Sequence, residues 1–265
     1  CTYTTPMFSI GQPAPITTTK SNNYIRRFGD ASGQFAATLA GGSNYFAYNL
    51  YKDNQPVAID QGFTTGQVAK TGLSAGIYRL EIKDTANCNY GGAEWMAHTF
   101  DIKQPSAALT LDTVRVDPVK CYAQSNGNID IAATGGWGDY RYSLNNGGYA
   151  TKWAYSGMQA GTYTFTARDS AGIEAPLVVE LKQPDALSAA IKAIEHIKCN
   201  GDSTGSIALN IVGGNGGYRV STDNKTFVSG SLANNLKAGS YTVTVDDRKG
   251  CTTNTPVQTI TQPDK

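Results

Sequence analysis

An all-β fold of tandem β-sandwiches, laid out as an extended rod, is what this sequence predicts, and three observations carry it. Ala238-Gly239-Ser240-Tyr241 leads through an alternating Thr-Val-Thr-Val to Asp247, Gly250-Cys251 and Gln262-Pro263. The same series recurs as Ala75-Gly76-Ile77-Tyr78 with Asp84, Cys88 and Gln104-Pro105, and as Ala160-Gly161-Thr162-Tyr163 with Asp169, Ile173 and Gln183-Pro184. Self-similarity at fixed spacing marks a repeat array and outranks local signals. The composition agrees: 29 Gly and 15 Tyr among 265 residues, with 16% charged, suit short strands joined by many turns.

Each repeat opens a strand from a Gly-containing turn: Gly29-Asp30-Ala31-Ser32-Gly33, Gln124-Ser125-Asn126-Gly127 and Asp202-Ser203-Thr204-Gly205. Alternating runs such as Asn128-Ile129-Asp130-Ile131-Ala132 follow, and end at Gly41-Gly42, Gly135-Gly136 and Gly213-Gly214. A Tyr-rich third strand comes next, seen in Tyr140-Arg141-Tyr142-Ser143. Near the end, Tyr precedes Asp by six residues, and Tyr241, Val243 and Val245 share one face of a half-buried strand. An apolar residue, a small-Gly turn and a strand-opening Tyr resemble the tyrosine corner of immunoglobulin-like and fibronectin-like sandwiches, which assigns that role to Tyr78, Tyr163 and Tyr241. Roughly seven short strands per repeat complete the pattern.

The Gln-Pro pairs divide the chain. Residues 1–13 match 251–263 at seven of thirteen positions without a gap, and read as the last strand of a preceding repeat. Residues 14–105, 106–184 and 185–265 are three Ig-like repeats, the last including the start of a further one. The chain is therefore expected to be a fragment of a longer protein. Units of about 80–90 residues bury only ~60% or slightly more of their unfolded surface, so help from neighbours or crosslinks is expected. The first repeat carries two insertions, one between Gly42 and Ala75 and one around residues 89–98, which includes Trp95. Trp137 follows the Gly pair of the second repeat, where the others have Ser43 and Asn215. Both tryptophans read as junction or ligand aromatics.

Several function classes are excluded or demoted. A net charge of +1 gives no basic stripe for nucleic acid, and no apolar run approaches the ~20 residues of a membrane span. His98 and His196 fall in different repeats, which argues against a Ser-His-Asp or Cys-His centre and for a protein that is not an enzyme. Asp30, Asp84, Asp169, Asp202 and Asp247 recur in turns, where Asp caps its own backbone. Zinc would need clustered Cys or His. No cofactor is expected; calcium between repeats would need six to eight oxygen ligands and stays as an alternative.

Lys120-Cys121-Tyr-Ala-Gln-Ser-Asn-Gly-Asn-Ile and Lys198-Cys199-Asn-Gly-Asp-Ser-Thr-Gly-Ser-Ile, followed by Gly-Gly, a Tyr-rich strand, Ala-Gly-x-Tyr and Gln-Pro, resemble SprB repeats. The likeness is strong in the second and third repeats and weaker in the first, where Arg27 replaces the first Cys. Such repeats occur in very large cell-surface adhesins of gliding Bacteroidetes exported by type IX secretion. The resemblance implies an extracellular, outer-membrane-associated filament that gives reach and mechanical strength for attachment and gliding. Its implied partners are neighbouring repeats, the substratum or a surface polysaccharide, and, through the parent protein, the gliding and secretion machinery. It also implies O-glycosylation at Asp-Ser/Thr motifs, with Thr85, Thr113, Ser170 and Ser203 as candidates.

The cysteines occupy two recurring positions, one before the turn that opens the second strand and one in the loop joining the last two strands. In an Ig-like topology these lie at opposite poles, roughly 25–30 Å apart, beyond the ~7 Å limit between disulfide Cα atoms. Bonding across junctions removes the difficulty: Cys121 with Cys251, and Arg27 beside Ile173 where both cysteines are missing. Cys1, Cys88 and Cys199 then bond to repeats outside the fragment, while Cys199 with Cys251 is the alternative. Either pattern implies an oxidising setting. A second functional reading is a carbohydrate-binding protein that stacks sugars on Trp95, Trp137, Trp153 and nearby tyrosines.

Overall fold

The computed structural model describes residues 13–86 and 95–265. Among them every regular element is a strand, and no helix is long and apolar enough to cross a membrane. Two compact units emerge. The first takes the residues through Thr110 together with Thr134–Tyr140 and Arg168–Glu174; the second takes Leu111–Ala133, Arg141–Ala167 and Ala175–Lys265.

In the first unit, Thr17–Asn22, Gly33–Ala40 and Gln67–Leu73 form one antiparallel sheet in that spatial order. Asp60–Thr64, Phe46–Lys52, Gly76–Asp84 and Met96–Ile102 form a second. Alternate residues of a strand point to opposite faces, so Phe35, Ala37 and Leu39 from one sheet meet Phe46, Leu50, Leu80 and Ile82 from the other in a single buried core. Phe100 stacks on Phe35 at 3.8 Å and on Tyr78 at 5.4 Å between ring centroids. Each such side chain contributes about 1.5–3 kcal/mol by burial, which makes this core the main source of the unit's stability.

The central repeat pairs Ala154–Met158, Gly127–Thr134 and Thr110–Asp117 in one sheet, and Arg141–Leu144, Gly161–Arg168 and Glu174–Leu181 in another. The last repeat sets Ser188–Glu195, Gly205–Val212 and Leu232–Leu236 in one sheet. Its other sheet orders Val228–Ser229, Arg219–Ser221, Thr244–Asp246 and Thr252–Asn254. Here the ladder is interrupted: Gly239–Tyr241 pairs with Gln258–Ile260 as a separate two-stranded piece. Pro256 has no N–H to give, and a proline inside a sheet breaks the ladder. The Thr255 hydroxyl fills part of the gap, accepting from Val243 N at 3.0 Å while Thr255 N donates to Val243 O at 3.0 Å.

The Gly pairs have one steric cause. Gly135 and Gly213 sit at φ +73° and +78°, and a Cβ there would lie 1.9 Å from Ala108 O and 2.0 Å from Ala186 O. The glycine after each donates back to the strand entry, Gly136 N to Ala107 O and Gly214 N to Asp185 O, both at 2.9 Å. Only a residue without a side chain permits this closeness.

Candidate functional site

Three features recur from repeat to repeat and build the poles where residues of neighbouring repeats meet. The first is the corner tyrosine. Tyr78, Tyr163 and Tyr241 each donate a hydroxyl hydrogen bond to the carbonyl four residues upstream, on Ser74, Gln159 and Lys237, at 2.8, 2.8 and 3.0 Å.

The second is a buried carboxylate. Asp84, Asp169 and Asp247 are 0%, 4% and 1% exposed. As expected of Asp in a turn, they accept from their own backbone, from Ala86 N, Ile173 N and Lys249 N. Their further partner is the residue after the Gly pair: Ser43 N at 2.6 Å, Trp137 N at 3.0 Å and Asn215 N at 2.9 Å. Asp247 accepts four bonds in all, adding Asn215 Nδ2 at 2.7 Å, Lys249 N at 2.9 Å and Cys251 N at 3.0 Å. Burial works upward on the Asp247 carboxyl, but the bonds from Asn215, Lys249 and Cys251 together outweigh it and hold the pKa below the ordinary value. Burial likewise works upward on Asp84, and the Ser43 hydroxyl, Ser43 N–H and Ala86 N–H reverse it.

The third feature gives the Gln-Pro punctuation its physical meaning. Gln104, Gln183 and Gln262 each accept, through Oε1, a backbone N–H of the turn that holds position 27, 121 or 199: Gly29 at 2.9 Å, Ala123 at 2.8 Å and Gly201 at 3.1 Å. Beside them, Ile25, Val119 and Ile197 donate their N–H to Lys103 O, Lys182 O and Thr261 O. The sequence showed the Gln at fixed spacing but not what it held.

In the second unit these parts converge on a covalent bond. Cys121 and Cys251 are joined, with Cα atoms 5.6 Å apart across a separation of 130 residues. Cys251 therefore does not pair with Cys199, which is exposed and free. Asn215 Nδ2 donates to Lys120 O at 2.9 Å, next to the bond. One residue thus touches the buried Asp247 of its own repeat and the cysteine turn of the repeat before.

The first unit contains the counterpart without cysteine. Arg27 and Ile173, at the two cysteine positions, line one shallow surface cleft. Trp137 Nε1 donates to Ile25 O at 3.0 Å, and its ring meets Tyr24 edge-on at 5.0 Å. Arg26 Nε donates to Ala171 O at 2.9 Å. The Trp137 indole is committed to these contacts, whereas Trp95 and Trp153 are 40% and 54% exposed.

Cys1 and Cys88 lie outside the described residues, as do residues 1–12 of the expected preceding strand and most of the second insertion. Of the candidate glycosylation sites, Thr85 and Thr113 are exposed, Ser170 is exposed and donates to Trp137 O at 3.2 Å, and Ser203 is half-buried. His98 and His196 belong to different units. Burial, followed by the charge of Lys20, lowers the His98 pKa, and His196 Nδ1 accepts Thr261 N at 3.2 Å. Among the described residues no three His, Cys, Asp or Glu side chains are grouped as metal ligands.

Sandwich repeats joined by recurring pole contacts and a disulfide define a class: a tandem array of Ig-like β-sandwich repeats. Within the chain, the SprB repeat family model matches two segments, residues 113–148 and 193–221. No curated protein matches the chain. Among solved structures, the chain is similar to the C-terminal 282-residue fragment of intimin in complex with the Tir intimin-binding domain (12% identity, 73% of this chain and 71% of that one, TM-score 0.40). It is also similar to three N-terminal domains of the highly immunogenic outer capsid protein of bacteriophage RB49 (12%, 93% and 96%, TM-score 0.40). A third is the set of immunoglobulin domains 1–5 of Sidekick-1 (10%, 95% and 60%, TM-score 0.43).

Proposed function

We propose that this chain is a tension-carrying segment of a large secreted adhesin filament on the cell surface, one that supplies reach and mechanical strength for attachment and gliding. The observation that carries the reading is the Cys121–Cys251 bond, which ties the turn of one repeat to the loop of the next. A disulfide of this kind favours an oxidising, extracellular compartment, and the SprB repeats favour export by type IX secretion to the outer-membrane surface. Cys199 occupies the same braced turn as Cys121, which suits it to a bond with a further repeat; Cys1 and Cys88 take the complementary position. Glycosylation at Thr85, Thr113, Ser170 and Ser203 belongs to the same reading, and intact-mass measurement of the secreted protein tests it.

The decisive experiment is mechanical. The 130-residue separation between Cys121 and Cys251 corresponds to roughly 430–470 Å of extended chain at ~3.3–3.6 Å per residue. Pulled from its two ends in oxidising buffer, the fragment keeps that length hidden at any force that leaves the bond intact, and releases it after thiol reduction. Release of the full contour length without reductant refutes the reading.

A further inference from the structure

The outward face of the four-stranded sheet in the first unit carries side chains that neither the core nor the pole contacts use. Tyr45 is 47% exposed and Phe63 65% exposed, and their rings lie 5.7 Å apart within 7° of parallel. Strand register fixes what stands beside them. Ala47 pairs with Phe63 on one side and Lys83 on the other, so one outward row reads Phe63, Ala47, Lys83. Two residues along the strand, Asn49 pairs with Gln61 and Glu81, and beyond that Tyr51 pairs with Arg79. The Ala47 methyl is short, so the row dips between a phenyl ring and an ammonium.

The charges on this face favour one kind of occupant. Arg79 is ion-paired with Glu81 and lies 4.3 Å over the Tyr51 ring, which uses up both charges. Lys83 has no ion pair among the described residues, and the Asn49 and Gln61 amides have no hydrogen-bond partner there. Among the described residues the face therefore offers two flat aromatic rings, two amides without a partner and one positive charge without an ion pair. Aromatic rings present an apolar body to a ligand, amides supply donors and acceptors for hydroxyls, and an ammonium complements a carboxylate.

We infer that this face binds an acidic polysaccharide, with pyranose rings on Tyr45 and Phe63, hydroxyls on Asn49 and Gln61, and a sugar carboxylate against Lys83. The inference takes its setting from the adhesin reading but stands on a different unit from the disulfide. If glycan binding is absent while the hidden contour length is retained, this inference fails alone.

The test is binding of the oxidised fragment to polygalacturonate and, in parallel, to dextran. The expected result is saturable binding to polygalacturonate, at least tenfold weaker to dextran. The Y45A/F63A double variant loses at least tenfold in affinity while melting as the parent does. K83Q loses the preference for the acidic polymer and its salt dependence, and W153A, off this face, changes nothing. Equal affinity for both polymers, or a double variant that binds as the parent does, overturns the inference. So does concentration-dependent self-association abolished by Y45A/F63A, because the face would then belong to a second copy of the chain.

Discussion

Replacing Asp247 with Asn tests whether the buried carboxylate, and not the turn around it, holds the stapled loop in place. The side chain is 1% exposed and accepts Asn215 N, Asn215 Nδ2, Lys249 N and Cys251 N. An amide in the same place keeps one acceptor oxygen and turns an NH2 toward donors, so about two of the four bonds are lost along with their charge assistance. At ~1.5–3 kcal/mol for a bond to a charged group, less what the remaining oxygen recovers, the deficit at pH 7 is about 2–4 kcal/mol. The pH dependence has a definite sign. Burial alone would raise the Asp247 pKa, but the four bonds bring it below its ordinary value. The stabilisation is therefore complete above the unfolded carboxyl value of ~3.9 and fades as pH falls through the lower folded value. Urea unfolding at pH 7 and again below pH 4, with hydrogen exchange read on peptides from residues 205–260, measures both. The D247N deficit should shrink on acidification, and Cys121–Cys251 should be reduced faster by thiol in the variant. A deficit below about 0.5 kcal/mol at pH 7, or one unchanged at low pH, refutes the reasoning.

Two further predictions concern the recurring pole parts. G213A should cost at least about 2 kcal/mol, since the new Cβ would meet Ala186 O at 2.0 Å and the backbone sits at φ +78°; G148A, with nothing within 4 Å of its Cβ, should melt within a degree or two of the parent. Y241F removes only the bond to Lys237 O, so denaturant unfolding should show a loss of about 0.5–1.5 kcal/mol with the fold retained.

Much of the fold was legible because each repeat restates the same constraints locally. Tyr78, Tyr163 and Tyr241 open their strands after a two-residue corner, and the alternation behind them fixes which side chains enter the core. The Gly pairs were legible as strand ends, although their reason, the carbonyls of Ala108 and Ala186, lies far upstream in sequence. The role of Asp84, Asp169 and Asp247 was only half legible. Asp in a turn suggests self-capping, and nothing in the adjacent residues discloses a partner 32 residues away, as Trp137 is for Asp169. The broken ladder at Val243 and Thr255 was missed although Pro256 was in view, because alternation without a helical period reads as one strand whether or not a proline interrupts it. The Tyr45 and Phe63 face was missed for a different reason. Their adjacency depends on the register between Phe46–Lys52 and Asp60–Thr64, and the second of these strands is longer than its counterpart Val228–Ser229 in the last repeat.

Gln104, Gln183 and Gln262 grip their turns by main-chain amides, so the grip is indifferent to the side chain mounted at position 27, 121 or 199. The mount can therefore hold a guanidinium in one copy and sulfur in another without remodelling the bracket around it. Locked and unlocked couplings thus become interchangeable fittings on a common frame, and exchanging the pair of residues at a joint, Cys121 and Cys251 in one and Arg27 and Ile173 in the other, changes its compliance without changing its scaffold.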